Sequence, residues 1–274
     1  MEYNSAMRNP PLPERPTGAV GSLDRGLQLL QFLRDYGSLR VMDAAAHLNI
    51  SRSSAHRLLQ TLVYRGFAMQ DEEHIYRPGP AMDAGPARLA WITDFRKLCE
   101  PHLEVLSRRS GESANLMIRV GANVRFLGTV RAQSVHATND RKGIVMLAHQ
   151  SSGGKALLAE LTEDRLARLY LENPRGDNPY LMTHDNFTAL TEDLARVRKQ
   201  GFAVNFEETE RGVAAVGMAV HDRLGEPVGA ISVSTQTRRF ASQIEKALLD
   251  LLRDARTQIE RDLALIDLGV ERRS

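Results

Sequence analysis

A chain of 274 residues, 42% hydrophobic and 26% charged, has the composition of an ordinary globular protein and the length for two domains. A formal net charge of +2 excludes a polycation, so any affinity for nucleic acid must come from where the charges sit. The single cysteine, Cys99, excludes an internal disulfide framework and a zinc site of paired Cys-x-x-Cys ligands, which fits a reducing compartment, the cytoplasm; no apolar run approaches the roughly 18 residues of a membrane span.

Residues 1–20 read as a disordered leader. Pro10, Pro11, Pro13 and Pro16 oppose helix and sheet alike, and the segment lacks the apolar core of a signal peptide. A first helix is expected from Ser22, which can cap it, with Leu23, Leu27, Leu30 and Leu33 at three- and four-residue spacing and Gly37 as the stop. Val41 to Leu48 fits a short second helix, with Asp43 complementing the dipole and Ala44, Ala45 and Leu48 turned inward. Asn49 and Ile50 make a turn, and Ser51 caps a third helix to about Arg65, with Ala55, Leu58, Leu59 and Leu62 on one face and Gly66 at its end. Two short strands, Phe67 to Met69 and Ile75 to Arg77, enclose a polar turn, and Pro78 and Pro80 close the unit.

Ala81 to Arg109 reads as largely helical, although Pro86 and Pro101 must kink or divide it. Residues 81–100 are taken as a linker helix joining a domain over 21–80 to one over 101–274. From Ser113 the period becomes two: Leu116, Ile118 and Val120 alternate with polar or small residues, and a turn at Gly121 returns the chain through Val124 to Val130. Helices are expected at Lys155 to Leu161, Glu163 to Glu172 and Asn186 to Gln200. A strand pair, Val213 to Val220 and Val228 to Ser234, flanks a turn at Asp222 to Pro227, and a last helix spans Ser242 to Asp267. This order makes the chain α+β.

The third helix carries the chemistry. Its outer face shows Ser51, Arg52, Ser53, Ser54, His56, Arg57 and Gln60, with no acid between Ser51 and Arg65. Arginine forks fit guanine or phosphate, glutamine pairs with adenine, and hydroxyls at a helix N-terminus hold phosphate oxygens. A solvated basic face is the plain alternative for Arg52 and Arg57 alone; the order of helix, helix-turn-helix and two-stranded wing favours DNA. Arg40, Arg65 and Arg77 are candidates for additional phosphate contacts.

The runs Ser22-Leu-Asp-Arg-Gly-Leu-Gln-Leu-Leu, Ile50-Ser-Arg-Ser-Ser-Ala-His-Arg-Leu-Leu-Gln-Thr-Leu and Gly66-Phe resemble the IclR family of bacterial regulators. So do His149-Gln-Ser-Ser-Gly-Gly-Lys-Ala-Leu-Leu-Ala, Gly201-Phe-Ala-Val-Asn-Phe-Glu-Glu and Val228-Gly-Ala-Ile-Ser-Val-Ser, so that the resemblance covers about residue 20 onward. It implies an N-terminal winged helix-turn-helix, a helical linker and a C-terminal GAF-like α/β effector-binding domain. It also implies a homodimer or dimer of dimers on double-stranded operator DNA, a small carboxylate effector, and target genes that are often catabolic. Repressors and activators both occur in the family.

Carried over position by position, the resemblance places an effector pocket at Ser152 and Gly153, in the loop before a helix at Lys155, with Asn205, Ala215, Ser232 and Ser234 on or beside the central strands. Backbone amides near that helix start, aided by hydroxyls, can hold a carboxylate without a full positive charge. Asn205 stands where some glyoxylate- and pyruvate-type sensors have an acid, and Ala215 where they have cysteine, which implies a roomier, less acid-demanding pocket for an aromatic or otherwise larger acid. Without the resemblance, Ser152 and Gly153 read as a turn and cap, and Ser232 and Ser234 as small residues on a crowded strand.

Enzyme readings find little support. Gly153-Gly154-Lys155 lacks the earlier glycine and the following Ser or Thr of a phosphate loop, Cys99 has only His102 nearby in sequence, and no two histidines have the spacing of a metal helix. Glu207, Glu208 and Glu210 read as a solvated edge. No cofactor or metal is expected. The remaining alternative is a small-molecule-binding or protein-docking module whose winged helix does not read DNA.

Overall fold

The computed structural model describes residues 18, 20–71, 73–83, 90–132, 141–172, 178, 180–240 and 242–266. Most of the expected leader, Pro86, and the expected helix end at Asp267 lie outside them. The chain forms two compact units, Met1–Gly79 and Pro80–Ser274.

In the first unit, α1 (Gly21–Tyr36), α2 (Val41–Leu48) and α3 (Arg52–Tyr64) precede β1 (Ala68–Gln70) and β2 (Tyr76–Pro78). Ser22 is not the cap of α1: the helix begins at Gly21, its cap position is Val20, which has no side-chain acceptor, and Ser22 lies in the first turn. The buried leucines also differ from the expected stripe. Leu29 and Leu33, one helical turn apart, are wholly buried, whereas Leu23 and Leu27 remain 62% and 53% exposed.

The turn between α2 and α3 uses Asn49 in the left-handed region (φ 50°), which asparagine tolerates, and Ile50 N–H closes it on the Ala45 carbonyl at 3.0 Å. Ser51 Oγ then accepts from Ser54 N–H at 3.2 Å, capping α3 as expected. At the other end Gly66 (φ +76°) donates to the Val63 carbonyl and Phe67 N–H to the Leu62 carbonyl, both at 2.9 Å, a glycine-dependent stop. Strands β1 and β2 pair antiparallel, and Leu39 exchanges two backbone hydrogen bonds with the fully buried Tyr76, tying the wing to the connection between α1 and α2.

The second unit holds α4 (Pro80–Asp83), α5 (Ala90–Ser110), β3 (Ser113–Val120), β4 (Asn123–Val130), β5 (Val145–Leu147), α6 (Ser152–Ala159), α7 (Glu163–Tyr170), α8 (His184–Gln200), β6 (Ala203–Phe206), β7 (Val213–His221), β8 (Pro227–Gln236) and α9 (Ser242–Leu263). Its strands form one antiparallel sheet in the order β5-β4-β3-β8-β7-β6. One face, through Leu116, Ile118, Val216, Met218, Ile231 and Val233, packs on α5 and α9; the other, through Met117, Val124, Ala203, Ala219 and Ala230, packs on α6, α7 and α8. Cover on both faces explains why β7 and β8 read as continuous small and β-branched runs. Pro101 sits inside α5 without ending it, and α5 continues past residue 100. The only tryptophan, Trp91, lies half-buried near the start of α5, its ring centroid 6.4 Å from that of the buried Phe95.

Candidate DNA-reading helix and effector site

On α3 the buried residues Ala55, Leu59 and Leu62 follow helical spacing, which leaves Ser53, Arg57 and Gln60 as a stripe on the far side, with Arg52 and His56 beside it; all five are exposed. The three serines at the helix start form one cluster, with Ser53 Oγ and Ser54 Oγ each 3.0 Å from Ser51 Oγ. Gln60 is held toward the wing, its Nε2 donating to Tyr76 Oη at 3.0 Å and to Gln70 Oε1 at 3.4 Å. Among the described residues, Arg52 and Arg57 form no ion pair with a carboxylate.

Two of the supplementary arginines prove engaged within the protein. Arg77 Nε pairs with Asp71 at 3.0 Å, and Arg65 lies 5.3 Å from the centroid of the Tyr64 ring. Asp71 also accepts from the backbone N–H of Ile75 and Glu73, holding the wing turn, and these bonds, that from Ile75 first, keep its carboxyl below the usual carboxylate range.

In the second unit, α6 starts at Ser152 and not at Lys155, because Ser151 Oγ accepts from Gly154 N–H at 3.0 Å and caps the helix three residues earlier. Ser152 and Gly153 therefore form its first turn and are not a loop. Gly217 on β7 makes this possible: a Cβ there would lie 2.7 Å from Gly153 N, so only glycine lets the helix start lie on the sheet.

Register places Asn205, Ala215 and Ser234 in one row across β6, β7 and β8, with Gly217, Ser232 and Asn115 in the next, all on the α6 side. Asn115 Nδ2 donates to Ser234 Oγ at 3.2 Å and Ser232 Oγ at 3.4 Å, and Thr129 Oγ1 donates to Asn115 Oδ1 at 3.0 Å. Asn205 Nδ2 donates to the Gln150 carbonyl, just before the cap of α6. The six candidate residues thus lie around one end of α6, and Asn115, Thr129 and Ser151 belong with them. The signal for Asn115 and Thr129 was a polar residue interrupting an apolar strand.

The charges nearby are balanced. Lys155, its side chain 7% exposed, is 2.6 Å from Glu208 and 3.3 Å from Asp193, and the equally buried Arg141 is 3.0 Å from Glu210. Glu207, Glu208 and Glu210 are therefore not simply a solvated edge: two of them bind buried cations, which cannot go unpaired in a medium of low polarity. His149 is held below its ordinary value, first by burial and then by Lys155. Cys99 is fully buried, and burial pushes its thiol far above reactivity near neutral pH.

A short helix-turn-helix with a wing, followed by an α/β unit whose antiparallel sheet carries a cluster of buried polar side chains at a helix start, defines a sensor-coupled DNA-binding regulator. The family model described as IclR helix-turn-helix domain matches residues 22–72, and that described as Bacterial transcriptional regulator IclR C-terminal matches residues 90–261. The HTH-type transcriptional regulator BhcR of Paracoccus denitrificans is 29% identical over 90% of this chain and 89% of its own. The HTH-type transcriptional repressor AllR of Salmonella typhi is 30% identical over 94% and 96%. The crystal structure of the Thermotoga maritima IclR superposes with a TM-score of 0.55 at 25% identity, covering 89% of this chain and 98% of that one.

The chain belongs to the IclR family of bacterial transcriptional regulators and is a ligand-responsive DNA-binding regulator. Among the described residues no helix is long and apolar enough to cross a membrane.

Proposed function

We propose that the chain reads double-stranded operator DNA with the exposed face of α3 and answers to a small carboxylate held at the start of α6, without a catalytic role of its own. The observation that carries the DNA half is the acid-free face of Arg52, Ser53, His56 and Arg57 opposite a buried stripe, supported by Ser51 and Ser54 at the helix N-terminus. Gln60 reaches adenine only by giving up its bonds to the wing; otherwise it orients the wing on α3. A gel shift with DNA from upstream of its target genes tests this: retained probe, weakened steeply as salt rises, supports operator reading, and no shift at any protein concentration favours protein docking.

The effector half rests on Ser152, Gly153, Asn205, Ala215, Ser232 and Ser234 meeting around one helix start where, among the described residues, the buried cations Lys155 and Arg141 are already paired. Neutral donors then receive the carboxylate. Ala215, a small side chain on the α6 side of β7, favours an aromatic or otherwise larger acid; the space over Gly217 is taken by the α6 start itself. Isothermal titration against benzoates and short keto acids rejects that preference if only the short acids bind.

The active form is a homodimer or dimer of dimers, as two half-sites of an operator require. Val20, Leu23 and Leu27 leave an exposed apolar stripe on α1 that suits burial against a second copy. Effector binding shifts the population between two arrangements of the connection expected over Ala81–Arg96, changing the spacing of two recognition helices on a catabolic operator.

A further inference from the structure

We infer that the effector carries a hydroxyl group in addition to its carboxylate, and that Asn205 is the residue that demands it. This inference rests on the reading of the polar cluster at the α6 start as a carboxylate site. Asn205 is 2% exposed, and its Oδ1 is buried without a hydrogen-bond partner among the described residues. Its amide cannot be turned over to relieve this. Nδ2 donates to the Gln150 carbonyl and lies 3.4 Å from Thr209 Oγ1, so exchanging the two ends would press one carbonyl oxygen against another. The orientation leaves a buried acceptor that only an incoming O–H or N–H can satisfy.

The β8 side of the cluster has the complementary polarity. Arg141 N–H donates to Thr129 Oγ1 at 3.2 Å, which turns the Thr129 hydroxyl toward Asn115 Oδ1; Asn115 Nδ2 must then donate to the serines of β8. Ser232 Oγ, already accepting, has its own hydrogen directed away from Asn115 and available to a ligand oxygen. An acceptor on β6 and a donor on β8, one row apart, thus lie diagonally across β7, about 12 Å apart at the backbone. The paired states of Lys155 and Arg141 keep full charge out of the exchange. A carboxylate toward Ser232 and a hydroxyl toward Asn205 match this pattern; an acid with no donor leaves Asn205 Oδ1 unpaired.

Isothermal titration of the full chain with matched acids that differ by one hydroxyl tests this: 4-hydroxybenzoate and benzoate, mandelate and phenylacetate, lactate and propionate. In the pair that fits the site, the hydroxylated acid binds about tenfold or more tightly, the usual consequence of leaving a buried acceptor unmatched. Asn205→Ala brings the two affinities together, and thermal melting confirms that the variant folds. If carboxylates bind but the partners of every pair bind within about twofold, water can serve Asn205 and the inference fails while the carboxylate site stands. If no carboxylate binds, both fail.

Discussion

Arg52 and Arg57 are exposed and unpaired among the described residues, so replacing either changes the surface and little of the interior. Under the proposed reading, Arg57→Ala, in the middle of the α3 stripe, weakens operator binding by about 1–3 kcal/mol and relaxes preference at one base pair, if it reads a base edge. Arg52→Ala, nearer the helix start, weakens binding to all sequences and lowers the slope of affinity against salt by about one. Equal gel-shift affinities for both variants and the parent across salt would remove α3 from the interface. Gly217 makes a contrasting case: Gly217→Ala places a Cβ 2.8 Å from Ser152 C, so the α6 start must lift. Effector binding measured by calorimetry is expected to fall sharply, with operator affinity in the absence of effector nearly unchanged.

Between elements, one side chain joins three. His221, at the end of β7, lies 3.3 Å from Glu160 at the end of α6 and 3.1 Å from Glu260 on α9, which Arg256 also approaches. The hydrogen bond with Glu160, then that with Glu260, raises the imidazole from 6.5 to about 9. A group whose proton is held more tightly in the folded state stabilises it fully below the unfolded value, near 6.5, and loses that contribution as pH rises through about 9. The melting temperature of the second unit should therefore fall by several degrees between about pH 7 and 9.5, at about 2–4 °C per kcal/mol, and His221→Gln should flatten that slope. A parallel pH profile for parent and variant would refute the clamp. In the first unit, Gly79→Ala would bring a Cβ within 2.3 Å of the Gly66 carbonyl oxygen, backbone against backbone, and a loss of helix-turn-helix stability by about 2 kcal/mol or more is expected in urea unfolding.

These elements differ in how far they could be read from sequence. The ends of α3 were legible because Ser51 and Gly66 act through bonds to residues three or four positions away. The buried side of α1 was not, since leucines occupy more than one face and only packing selects Leu29 and Leu33. Strands β5 and β6, three and four residues long, are too short for an alternation to register. The start of α6 is not legible because Gly153 and Gly154 argue locally for a loop, and the close approach that lets them lie on the sheet as a helix depends on Gly217, more than sixty residues away. The carboxylates after β6 look solvated in sequence because their partners, Lys155 and Arg141, are distant along the chain.

At the scale of the whole molecule, the proposed coupling requires that effector and operator each favour one arrangement unequally, so each must alter the affinity of the other by the same factor. Titrating effector into the free protein and into the operator complex measures that factor twice; two different values would rule out a single shared equilibrium. The exposed stripe of Val20, Leu23 and Leu27 makes a further expectation at this scale. Leu23→Glu with Leu27→Glu should loosen self-association, seen as a lower mass in light scattering and a weaker, less cooperative gel shift, with α3 unchanged.

Trp91, alone of its kind and set half-buried against Phe95 at the base of α5, gives the protein an intrinsic optical probe. Emission from an indole reddens and dims as water reaches it, so any movement that loosens the start of α5 from the core writes itself directly into the fluorescence spectrum. Unlabelled protein in a stopped-flow cell would then report how fast the sensor responds, not only how tightly it binds, and the difference between those two quantities sets how quickly a cell could act on the signal.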